Sequence, residues 1–173
     1  MSNFKEELRK VNTFIFDVDG VLSTQTIPMD AEGEPMRSIN VRDGYAIKLA
    51  VNKGYRVGII TGGRSEAVRL RYEGLGVTDI YLDSRYKKND LEDYIGKYDL
   101  DPMTILYMGD DIPDLEAMEM VGFPTCPADA VTEIKQISRY ISHFRGGEGC
   151  VRDVIEQVLR LHNHWINGEA FGW

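Results

Sequence analysis

Runs of apolar residues that do not alternate with polar ones constrain this chain more than any other feature. Phe14-Ile15-Phe16 and Val57-Gly58-Ile59-Ile60 are apolar at successive positions, so both faces of any strand they form must be covered. Central strands of parallel sheets read this way, whereas antiparallel sheets often leave one face to water. Strands are predicted over 13–17, 55–61, 79–83, 104–110, 123–126 and 140–142. Amphipathic stretches lie between and after them, at 44–53, 65–75, 88–98, 115–121, 131–137 and 151–161. In the last, Val151, Val154, Ile155, Val158 and Leu159 share one helical face. Such alternation predicts an α/β domain, a parallel sheet with helices on both sides.

A chain of 173 residues is long enough for one domain with a substantial core. No apolar run approaches the roughly 18 residues of a membrane span. The N-terminal MSNFKEELRK lacks the apolar centre of a signal peptide. Cys126 and Cys150 are too few for a disulfide framework, so two reduced thiols in a cytoplasmic protein are expected. A net charge of −8 speaks against general nucleic-acid binding. It leaves room for an anionic ligand wherever a metal or a local cation reverses the field.

Two stretches break the alternation. Residues 23–41, STQTIPMDAEGEPMRSINV, are long for a connection and hold Asp30-Ala31-Glu32-Gly33 as a turn, so a surface β-hairpin insertion is expected. Residues 162–173 follow the last helix and carry Trp165, Phe171 and Trp173, aromatics that call for cover, as from a neighbouring subunit.

Ligands of open parallel sheets bind beyond the carboxyl ends of the strands. There the first predicted strand ends in Asp17-Val18-Asp19-Gly20 and the second in Thr61-Gly62-Gly63-Arg64. The third leads to Lys87 and Lys88, and the fourth ends in Gly109-Asp110-Asp111, with Asp114 close behind. Carboxylates at the ends of buried strands repel one another and resist desolvation unless something positive sits between them. Hard oxygens from Asp17 and Asp110 suit Mg²⁺. Thr61 and the amides that follow it suit phosphate oxygens, and a lysine adds a compact cation. Phosphoryl transfer is largely positioning plus charge stabilisation, so these parts suffice for it. Asp17 is then expected to attack phosphorus and form an acyl phosphate. Asp19 is expected to protonate the departing sugar oxygen and later to take a proton from water.

In this light DVDGV at 17–21 resembles the first motif of the haloacid dehalogenase (HAD) superfamily of phosphatases. IITGG at 59–63 resembles the second, Lys87 the third, and GDDIPD at 109–114 the fourth. The resemblance runs from Phe14 to about Leu159 and implies a Rossmann-like core. It further implies that Asp17 and Asp110 bind Mg²⁺ through side chains and Asp19 through its backbone carbonyl. Asp111 and Asp114 would orient metal waters or the lysine. Larger members carry a cap domain. The short stretches between Asp19 and Thr61 and between Lys87 and Asp110 leave no room for one.

Among capless members the chain is similar to the phosphatases of 3-deoxy-D-manno-octulosonate 8-phosphate (KDO 8-phosphate), through INVRDGYAIKLA at 39–50 and FRGGEGCVRDVIEQVL at 144–159. The resemblance implies hydrolysis of that sugar-acid phosphate in lipopolysaccharide precursor synthesis, by a homotetramer assembled through the hairpins. It implies that residues 145–173 reach a neighbouring active site, with Gly146, Gly147 and Gly149 letting the segment turn close to the substrate. Arg64 and Arg42 become candidate ligands of the sugar acid's carboxylate or phosphate, and Gly62 and Gly63 of its phosphoryl group.

Some positions depart from the pattern. Ser23-Thr24-Gln25 stands where Thr-Asp-Gly is common, Tyr86 where an aspartate is usual, and the extension past Leu161 is long. A phosphatase of a nine-carbon acid 9-phosphate (KDN or N-acylneuraminate) is the alternative within the class, although that branch tends to have another pair where this chain has Gly63-Arg64. A catalytically silent binding protein is the alternative outside it, disfavoured because both Asp17 and Asp19 are present. A receiver domain is disfavoured by Asp19 and by the order of the motifs.

Overall fold

The most apolar runs lie side by side at the middle of a six-stranded sheet. The computed structural model describes residues 4–172. Its strands are β1 (Thr13–Phe16), β2 (Arg56–Ile60), β3 (Asp79–Tyr81), β4 (Ile105–Met108), β5 (Phe123–Cys126) and β6 (Tyr140–Ile141). All pair in parallel, in the order β3-β2-β1-β4-β5-β6. The helices are α1 (Phe4–Glu7), α2 (Val41–Asn52), α3 (Glu66–Glu73), α4 (Lys87–Tyr98), α5 (Leu115–Glu119), α6 (Thr132–Ile137) and α7 (Cys150–Leu161). Phe14, Phe16, Val57, Ile59, Leu106 and Met108 pack in one core with residues of α2, α3 and α7. Ile15, Ile60, Ile105 and Tyr107 pack in a second with residues of α4, α5 and α6. Both faces of β1, β2 and β4 are therefore dry, as their composition requires. Each large side chain so buried contributes about 1.5–3 kcal/mol.

Register brings the strand ends level. Phe16 pairs with Ile59 on one side and with Met108 on the other, so Asp17, Thr61 and Asp110 emerge from the same edge. The Asp17 amide continues the ladder by donating to the Met108 carbonyl at 3.1 Å. From β1 the chain steps outward to β2 and β3, then returns to β4 on the other side of β1. Loops diverge at such a switch point and leave a crevice.

Helix α2 starts three residues before its predicted position because Asn40 caps it. The Asn40 side chain accepts from the amides of Arg42 and Asp43 at 2.9 and 3.1 Å. Asp43 is buried and in turn accepts the Arg152 amide in the first turn of α7 at 2.8 Å, tying the two helices together. The expected hairpin is reduced to its tip: a single antiparallel bridge joins Met29 and Pro35, and the Met36 amide donates to the Pro28 carbonyl at 2.8 Å. Both prolines lack an amide hydrogen, and a two-stranded ribbon with no third strand is marginal in water, so the flanks stay irregular.

The C-terminal stretch folds back on its own chain. Trp165 is buried edge-on to Tyr45 at 5.9 Å, and the Tyr45 hydroxyl donates to the Ala170 carbonyl at 2.5 Å. The cover expected from a neighbour is thus supplied to Trp165 from within, while Phe171 is 82% exposed. Trp173 lies outside the described residues.

Candidate active site

A buried chain of charges forms where the central strands end. Lys87 Nζ lies 2.9 Å from Asp17 Oδ1 and 2.8 Å from Asp114 Oδ1. Asp114 Oδ1 also accepts the Tyr107 hydroxyl at 2.9 Å, and its Oδ2 accepts the Asp110 amide at 3.2 Å. Lys87 opens α4, where a cation opposes the helix dipole, so the two aspartates, not the helix, hold it there. Lys88 has no place in the cleft. Asp110 faces Gly20 so closely that a Cβ there would stand 2.0 Å from its carboxylate, which is why a glycine follows the two acids of the first loop.

Burial pushes the Asp17 carboxyl well above the usual range, and Asp114 beside it adds to the effect; Lys87 only partly opposes them. Burial and Asp114 likewise lift Asp110 to about 7. For Lys87, burial works against the charged form, but Asp17 and Asp114 outweigh it and raise its pKa. One lysine is too little charge for this group of acids.

Asp19 is held from outside the expected motifs. Arg37, from the irregular stretch after the hairpin tip, bridges both its oxygens, Nε to Oδ1 at 2.7 Å and Nη2 to Oδ2 at 2.9 Å. Ser23 Oγ donates to Oδ1 at 3.2 Å. Beneath this loop, a Cβ on Gly146 would meet the Gly20 carbonyl at 1.9 Å. The Gly147 amide, in a residue with φ of +75°, donates to the Val21 carbonyl at 2.8 Å. Gly146 and Gly147 therefore support the catalytic loop from below, in contact with its backbone.

At the end of β2, Thr61 is buried and its Oγ1 accepts the Gly63 amide at 3.1 Å, leaving the hydroxyl hydrogen to donate elsewhere. Gly62 is exposed beside it. Arg64 stands at the rim, pairs with Asp83 at 2.9 Å and is largely exposed. Arg42 is not brought to this cleft at all; it lines a separate groove with Phe144 and Arg152. The cleft itself, about 390 Å³, is lined by Asp17, Asp19, Gly20, Gln25, Lys87, Asp110, Asp111, Asp114 and Asp129 among others. Asp111 is exposed, and its Oδ1 accepts the Ile112 amide at 2.8 Å. Arg37, Tyr107 and Asp129 were not legible as site residues. None belongs to a motif, and only the fold shows that they touch one.

The donor set fits a hard divalent cation. Carboxylate oxygens of Asp17, Asp110 and Asp114 come within 4.8 Å of one another. Asp114 spends its oxygens on Lys87, Tyr107 and the Asp110 amide, so Asp17 and Asp110 are the better ligands. Because Asp110 is lifted to about 7 by burial, the folded state binds more protons than the unfolded one below that pH. Without metal, stability should therefore fall as pH rises from about 4 toward 7. Mg²⁺ at a hundredfold excess over its dissociation constant should add about 2.7 kcal/mol, or about 5–10 °C in melting temperature, with the larger gain at pH 8 than at pH 5. A melt indifferent to Mg²⁺ at both pH values would argue against the site.

Among the described residues, no helix is long and apolar enough to cross a membrane. No family model matches the chain. The KDO 8-phosphate phosphatase KdsC of Salmonella typhi is 37% identical over 149 residues, which span 86% of this chain and 79% of that protein. The crystal structure of the Yersinia pestis KDO 8-phosphate phosphatase superposes with a TM-score of 0.89 at 31% identity, covering 92% of this chain and 86% of that one. The Moraxella catarrhalis enzyme, solved in complex with a magnesium ion, a phosphate ion and a KDO molecule, gives a TM-score of 0.87 at 31% identity, covering 92% and 91%. Sequence and fold thus agree with the motifs at the strand ends, and the chain belongs to the KDO 8-phosphate phosphatase family of the HAD superfamily.

Proposed function

We propose that this protein is a phosphoric monoester hydrolase that converts KDO 8-phosphate to KDO and inorganic phosphate, with Mg²⁺ as cofactor, in the supply of lipopolysaccharide precursors. The buried Asp17–Lys87–Asp114 chain facing Asp110 carries this reading, together with membership of a family whose Moraxella catarrhalis member holds magnesium, phosphate and KDO.

Lys87 and the Val18 amide both hold Oδ1 of Asp17, at 2.9 and 2.7 Å. The other oxygen attacks phosphorus as the bond to the sugar oxygen breaks, giving an aspartyl phosphate. Asp19 protonates the leaving oxygen, then takes a proton from the water that cleaves the aspartyl phosphate and frees Asp17. The Thr61 hydroxyl, aimed by the Gly63 amide, and the Gly62 amide hold phosphoryl oxygens, and Arg64 meets the substrate at the rim. Asp17, Asp110 and the Asp19 carbonyl would hold Mg²⁺, with Asp111 orienting its waters and Asp114 positioning Lys87. When bound, the cation supplies positive charge against the phosphoryl oxygens.

Exposed Met29, Met36, Ile39, Val41 and Phe144 around the hairpin support assembly with further copies as a homotetramer, and two buried free thiols support a cytoplasmic location. Released phosphate should be measured with Mg²⁺ on KDO 8-phosphate, nine-carbon acid 9-phosphates, hexose phosphates and an aryl phosphate. KDO 8-phosphate should give the highest kcat/KM. A preference for a nine-carbon acid would move the substrate within the class, and a preference for hexose phosphates over both keto acids would overturn it. Solution mass by light scattering checks the tetramer.

A further inference from the structure

Arg37 does something to Asp19 that the reaction cannot tolerate throughout. Both oxygens of Asp19 are occupied by one guanidinium, at 2.7 and 2.9 Å. Bidentate pairs of this kind are among the strongest polar contacts a side chain makes. Yet Asp19 must turn an oxygen toward the leaving group when the sugar departs. Each oxygen keeps a second lone pair, but a carboxyl carrying the proton it is to transfer no longer matches a bidentate guanidinium, so the pair must open during each turnover and something must compensate Arg37 when it does.

Three observations indicate what that is. Arg37 Nη1 is buried and has no partner. Its Nη2 sits where a Cβ on Gly63 would come within 2.7 Å, so the guanidinium rests against the phosphate-side loop. A cavity of about 420 Å³ lies between the hairpin flank and α3, lined by Arg37, Arg71, Tyr72, Ser38 and Ser65, with Glu34 the single acid on its wall against two arginines. Arg71 has no ion-pair partner shown among the described residues, and its Nη2 rests where a Cβ on Gly44 would come within 2.4 Å. Two arginines, one with a free buried N–H, together with two serine hydroxyls suit a carboxylate beside the phosphoryl site.

We propose that Arg37 is a latch on Asp19 which the substrate's own carboxylate releases. In the empty enzyme Arg37 bridges Asp19; when a sugar acid phosphate binds, the guanidinium exchanges one carboxylate for another and Asp19 is freed to meet the leaving oxygen. A phosphate ester with no carboxylate leaves the latch closed and turns over slowly even when bound. Arg37 is thus a positioning residue that writes substrate choice into kcat. This rests on the proposed substrate class.

The test compares wild type, Arg37→Met and Arg37→Lys on KDO 8-phosphate and on glucose 6-phosphate. Each is normalised to turnover of p-nitrophenyl phosphate, whose leaving group departs without a proton. For Arg37→Met, normalised kcat/KM on KDO 8-phosphate should fall about a hundredfold. Normalised kcat on glucose 6-phosphate should rise about tenfold, since a general acid is worth that much or more. Arg37→Lys keeps a charge but cannot bridge two oxygens, and should recover part of the KDO 8-phosphate activity. Opposite signs on the two sugars support the latch. A fall on both, or a glucose 6-phosphate rate that does not rise, overturns it. Failure of the substrate reading looks different: wild type itself would show no preference for KDO 8-phosphate, and the glucose 6-phosphate arm would still report on Arg37.

Discussion

Asp17→Asn should lose turnover by on the order of 10⁴-fold and yet melt at a higher temperature than the wild type. The two effects share one cause. Asp17 is buried among Asp110 and Asp114, and burial first, then Asp114, pushes its carboxyl far above the usual range. Ionising it in the folded protein therefore costs more than ionising it in the unfolded chain. That cost is absent at low pH and grows as pH rises from the ordinary carboxylate range toward the folded pKa. An amide has no charge to desolvate but keeps the shape, so the variant should gain about 1–2 kcal/mol, or about 2–8 °C, more at pH 8 than at pH 5 and without metal. Released phosphate and thermal melts check both halves. Turnover close to wild type would remove Asp17 as nucleophile, and a destabilised variant would contradict the charge argument.

Lys87→Met should act in the opposite sense on stability. The substitution leaves Asp17, Asp110 and Asp114 with no cation among them, and stranding buried charge in this way costs about 3–5 kcal/mol. The melting temperature at pH 8 should fall by about 10 °C, with part of the loss recovered by Mg²⁺ or at pH 5, where the acids take up protons. Turnover should fall with it. Lys88→Met, one residue away and outside the cleft, should change neither property, so the pair of variants separates the two lysines. Equal losses from both would mean that the start of α4 had been disturbed as a whole.

What could be read before folding, and what could not, divides along a physical line. Strands with two dry faces are written in consecutive apolar residues, so β1, β2 and β4 were found to within two residues at either end. Asp17, Thr61, Lys87 and Asp110 were legible because each lies at or just beyond a strand end, where chain order and register decide what meets. The start of α2 is hidden in the sequence although Asn40 is a good cap, because Val41 reads as the end of the hairpin stretch. Arg37 carried no local signal, since an arginine after Met36 in an irregular stretch becomes notable only when the fold buries it against Asp19. Arg42 lies outside the cleft for the converse reason: its place early in α2 sets it in the groove beside α7, and nothing in its sequence neighbours reveals that direction. The turn at Asp30-Ala31-Glu32-Gly33 marks the hairpin tip but not how far its strands extend, which Pro28 and Pro35 limit because neither can donate to a ladder.

The close seating of Gly146 under Gly20 has a bearing on how this protein comes into being. Translation proceeds from the N-terminus at about 5–20 residues per second, so the first acidic loop leaves the ribosome on the order of ten seconds before the segment that props it up. Until then the nucleophile's loop has no floor. A nascent chain stalled anywhere before α7 should hydrolyse nothing, and the appearance of activity during synthesis would serve as a clock for the arrival of the final helix.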